Sequence, residues 1–85
     1  MIYHVLISKQ AEKEIERLPK QFYPKVKQAI LALSTNPRPH GFKKLQGRSG
    51  YRVRIGDYRV IYDIDDKTIT VYVLTVMNRK DVYRR

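Results

Sequence analysis

The chain has 85 residues, of which 42% are hydrophobic, enough for one packed core and one domain, residues 1–85. It has no cysteine, which excludes a disulfide framework, a cysteine-ligated zinc and a thiol nucleophile, and no apolar run reaches the roughly 20 residues that cross a bilayer. Eighteen Lys and Arg against eight Asp and Glu leave a net charge of +10, which favours an acidic partner, nucleic acid first, for a soluble, cytoplasmic protein with no membrane contact.

In chain order, residues 2–7 are apolar on both faces, the pattern of a short interior strand. Ser8 stands where a helix N-cap is needed, and Ala11, Ile15 and Leu18 follow at helical spacing. Glu12, Glu14 and Glu16 crowd the half of that helix whose dipole favours anions. Pro19 ends it. Phe22, Val26, Ala29, Ile30 and Leu33 form the apolar stripe of a second helix over residues 20–34, with Pro24 tolerated in its first turn. Asn36-Pro37-Arg38-Pro39 stops that helix, and residues 40–50 read as a basic, glycine-punctuated connection.

The remainder is β. Tyr51-Arg52-Val53-Arg54-Ile55 alternates, Gly56-Asp57 makes a two-residue hairpin turn, and Tyr58-Arg59-Val60-Ile61-Tyr62 returns. Asp65-Asp66-Lys67 turns again into residues 68–76, apolar on both sides and hence an interior strand. The order β-α-α-β-β-β predicts an α+β fold: a helical hairpin on one face of a mostly antiparallel four-stranded sheet.

A two-residue loop sets the hairpin register. It puts Val53, Val60, Ile55, Tyr58, Tyr51 and Tyr62 on one face, against the helices, and Arg52, Arg54, Arg59 and Ile61 on the other. Like charges opposite one another across a strand pair are destabilising, so Arg54 facing Arg59 favours a bound anion, and the guanidinium fork suits phosphate. The alternative is that the arginines splay into water or pair with Asp63, Asp65 or Asp81. The charge excess is concentrated: residues 38–62 hold Arg38, Lys43, Lys44, Arg48, Arg52, Arg54 and Arg59 against Asp57 alone. The run after the last strand adds Arg79, Lys80, Arg84, Arg85 and Tyr83, a phenol that either plugs the core edge or stacks on a base. His4 reads as structural, and no His, Asp or Glu spacing suggests a metal or other cofactor.

Leu45-Gln46-Gly47, the run from Gly50 through Tyr62, Val73-Leu74-Thr75-Val76 and Arg79-Lys80-Asp81-Val82-Tyr83-Arg84 together resemble the RelE/ParE superfamily of toxins from type II toxin–antitoxin systems. The resemblance covers essentially the whole chain. It implies the RelE-like, microbial-RNase-like fold and a ribosome-dependent endoribonuclease (an mRNA interferase) that inhibits translation. In that chemistry the message's own 2′-OH attacks the adjacent phosphorus, leaving a 2′,3′-cyclic phosphate. It implies Arg52, Arg54, Arg59, Arg79 and Tyr83 as catalytic residues, with Arg59 and Arg79 on the scissile phosphate. Lys43, Lys44, Arg48, Lys80, Arg84 and Arg85 would bind RNA, and the partners would be the ribosome, mRNA and a cognate antitoxin. Two features depart from the RelE pattern: arginines stand at 52 and 54 in place of lysines, and Asn78 stands where many relatives carry histidine. Arginine keeps its proton and Asn has none to exchange, so the general base is open. Two other functions fit the residues: a ParE-type inhibitor of DNA gyrase without nuclease activity, and a non-catalytic RNA-binding module.

Overall fold

The computed structural model describes residues 2–78. Strand β1 (His4–Ile7) leads into helix α1 (Lys9–Glu16) and helix α2 (Tyr23–Ala32), followed by β2 (Lys43–Lys44), β3 (Tyr51–Ile55), β4 (Tyr58–Asp65) and β5 (Thr70–Asn78). The strands form one sheet in the order β1-β5-β4-β3-β2, antiparallel except for the parallel pairing of β1 with β5. The expected α+β class and helical hairpin hold. The sheet has five strands and not four, because Lys43 and Lys44 pair with Arg52 and Tyr51. A two-residue strand is too short to show any periodicity in sequence.

Ser8 caps α1 as its residue type requires: its side chain accepts the Ala11 N–H at 3.0 Å. The same hydroxyl donates to the Leu74 carbonyl at 2.8 Å, so the cap also ties α1 to β5. Helix α2 starts at Tyr23, later than expected, because residues 19–22 form a turn in which Phe22 and Tyr23 donate to the Pro19 carbonyl. Ala11 and Ile15 from α1, Val26 and Ile30 from α2, and Leu33 beyond it meet Val60, Tyr62, Val71, Val73 and Val76 of the sheet in one buried cluster.

Strand β1 is an edge strand, contrary to the interior position its apolar run suggested. Val5 and Ile7 reach the core, but His4 is exposed and Leu6 is 55% exposed. The second turn is also longer than expected. Asp65 accepts the N–H groups of Lys67 and Thr68, and Ile69 takes a positive φ of 53°, so β5 begins at Thr70. Gly56 has φ 59° at the first turn, and a Cβ there would lie 3.2 Å from the Phe22 ring. Among the described residues no helix is long and apolar enough to cross a membrane.

Candidate nucleic-acid interface

The hairpin register is the one the two-residue turn dictates. Tyr51 pairs with Tyr62, Arg52 with Ile61, Val53 with Val60, Arg54 with Arg59 and Ile55 with Tyr58. Val53, Ile55, Tyr51 and Tyr58 pack against the helix-covered core. By alternation Arg52, Arg54, Arg59 and Ile61 share the opposite face, with Met77 beside Arg59 on β5. Arg52 and Arg59 are half-buried, and Arg54 is exposed, its Nε donating to the Gly56 carbonyl at 3.3 Å.

Strand β2 extends this face. Lys43 stands opposite Arg52, while Lys44 stands opposite Tyr51. The Phe42 ring lies 5.8 Å from that of Tyr51, which puts residues 42 and 44 on the helix side and residue 43 on the arginine side. The two lysines therefore part: Lys43 joins the arginines and Lys44 does not. Arg48 is exposed in the segment between β2 and β3. Arg79, Lys80, Tyr83, Arg84 and Arg85 lie outside the described residues, as does Asp81.

Among the described residues, the acids nearest in sequence hold bonds of their own. Asp63 accepts the N–H of Ile64, and Asp65 serves the turn. Asp66 takes Arg38, at 2.9 Å to Nη2, and the Tyr3 hydroxyl at 2.7 Å. Arg52 and Arg54 form no ion pair with any described residue. The Arg38–Asp66–Tyr3 cluster went unseen in the sequence because its members are 28 and 63 positions apart. Arg38, first by its hydrogen bonds, holds the Asp66 carboxyl below the usual carboxylate range, and Asp66 in turn raises the Tyr3 phenol. Next to it, Tyr62 is fully buried and donates to the Pro37 carbonyl at 2.8 Å; burial pushes its phenol up to about 12. These contacts fasten the proline-rich segment after α2 to the sheet, and so set where β2 and Lys43 begin.

Guanidiniums gathered on one sheet face, with the Lys43 ammonium beside them, suit a polyanion. Among the described residues no group of three or more His, Asp or Glu could hold a metal ion.

Known proteins place the chain further. The family profile described as the ParE toxin of type II toxin–antitoxin system, parDE, matches residues 5–83. Toxin RelG of Mycobacterium tuberculosis is 34% identical over 87 residues, covering 100% of both chains. Toxin RelE of the same organism is 32% identical over 84 residues, covering 96% of this chain and 87% of its own. The archaeal RelE–RelB complex from Pyrococcus horikoshii superimposes with a TM-score of 0.82 at 35% identity, covering 93% of this chain and 97% of that one.

Proposed function

This chain belongs to the ParE toxin family of type II toxin–antitoxin systems and is RelE-like, and from that we propose that it is a ribosome-dependent endoribonuclease acting on mRNA. The observation that carries the reading is Arg54 directly opposite Arg59, with Arg52 and Lys43 on the same face. Two guanidiniums so placed can grip one phosphodiester between them.

The chemistry needs little else. The 2′-OH is already adjacent to the scissile phosphorus, so the protein has to align it for in-line attack and stabilise the charge that gathers on the phosphoryl oxygens. Arg59 and Arg79 would hold those oxygens, Arg52 and Arg54 the flanking phosphates, and Tyr83 would stack on a base or exchange a proton. Lys44, Arg48, Lys80, Arg84 and Arg85 would bind the RNA backbone outside the cut. An antitoxin partner is supported by the relative solved as a complex with RelB; it would cover or distort this basic face.

Translation in vitro with toe-printing tests the reading. The wild-type chain should cut mRNA in the ribosomal decoding site, and Arg59→Gln should cut it about 100-fold more slowly while keeping its melting temperature. Stalling without any cut refutes nuclease activity. Because the matching family profile carries the ParE name, a gyrase supercoiling assay runs beside it: inhibition there with intact mRNA assigns the chain to the gyrase inhibitors.

A further inference from the structure

Resting on the nuclease reading, the geometry points to a catalytic role for one residue that the sequence marks only as a backbone contact: we propose that Lys43 is the general acid that protonates the departing 5′-oxygen. When the 2′-oxygen bonds to phosphorus, the bond from phosphorus to the 5′-oxygen breaks and leaves an alkoxide. A proton delivered to it in the transition state lowers the barrier. Arginine cannot deliver one, since a guanidinium keeps its proton in proteins. Asn78 has no exchangeable proton of that kind.

Around Arg52, Arg54 and Arg59 the described side chains sharing their face include Ile61, Asp63, Tyr72, Thr75, Met77 and Lys43. Of these, the Thr75 hydroxyl already donates to Glu14, and Lys43 is the proton-bearing group set directly opposite an arginine, Arg52. Its Cα pairs with that of Arg52, and the Phe42 ring on Tyr51 locks the alternation that turns residue 43 to the arginine side. It is exposed, with a flexible four-carbon stem that can follow a leaving group. The Tyr72 phenol pairs with Asp63 and stands toward β1, farther from the hairpin turn.

The step balances. The 2′-hydroxyl's proton goes to solvent, the Lys43 ammonium gives its proton to the 5′-oxygen, and water then reprotonates the amine. The products are a 2′,3′-cyclic phosphate and a 5′-hydroxyl.

Single-turnover cleavage on purified ribosomes tests this with Lys43→Arg, which keeps the charge and removes the transferable proton. The variant should bind programmed ribosomes as the wild type does and cut a normal message about 100-fold more slowly. A message with sulfur in place of the bridging 5′-oxygen at the cut needs no acid, because a thiolate leaves unprotonated. On that message Lys43→Arg should match the wild type. Equal rates on the normal message, or an equal loss on both messages, overturn the proposal and leave Lys43 a phosphate contact. If the wild type cuts neither message, the nuclease reading itself is what fails.

Discussion

Arg54 and Arg59 show how a residue pair can be legible from sequence alone. A two-residue turn leaves one way to pair the strands, so two arginines equidistant from Gly56-Asp57 must face each other, and they do. The Arg38–Asp66–Tyr3 cluster is the opposite case. Nothing in the spacing of three residues from the first strand, a loop and a turn announces that they meet. Its effect on stability has a definite sign. Folded Asp66 ionises more readily than an unfolded aspartate, so its contribution is complete above pH about 4 and is lost as pH falls toward the lower folded value. Asp66→Asn should therefore flatten part of the acid-side fall in melting temperature and leave the shape near neutrality unchanged. A thermal-melt series across pH checks it; an unaltered acid limb means the cluster is not coupled to folding.

Among the elements, α1 does more than cover the core. Strand β1 pairs with β5 only as far as Val73, so the outer edge of β5 beyond it has no strand partner among the described residues. Glu14 takes that place: it accepts the Val76 N–H at 2.9 Å and the Thr75 hydroxyl at 2.8 Å. An edge strand offers open backbone groups to other chains, and a carboxylate seated on one of them removes that invitation. Glu14→Ala should cost about 2 kcal/mol, read from the urea midpoint, and speed amide exchange at Val76. Glutamine at 14 keeps an acceptor and should recover much of the loss. In sequence, Glu14 reads only as a carboxylate favoured by the helix dipole. The helices and the hairpin were legible from their periodicity and turn residues. Strand β2 was not, since two lysines flanking a glycine-rich segment have no pattern of their own.

For the whole molecule, the +10 charge is a statement about partners, and the fold says where it is spent. Four of the basic groups, Lys43, Arg52, Arg54 and Arg59, gather on the sheet face turned away from the helices. Binding to RNA through such a face releases counterions, so affinity should fall linearly on a double logarithmic plot against salt. Arg52→Gln should reduce that slope by about 0.7 and weaken binding to all sequences alike. Filter binding at several salt concentrations measures it, and an unchanged slope removes Arg52 from the interface. Local rules were enough for the helix stripes, the Ser8 cap, the hairpin register and the side of the sheet on which the arginines lie, because each depends on residues a few positions apart. The edge position of β1, the engagement of Asp66 by Arg38, the carboxylate of Glu14 on β5 and the parting of Lys43 from Lys44 came from the folded chain, because each is a meeting of distant segments that no spacing encodes.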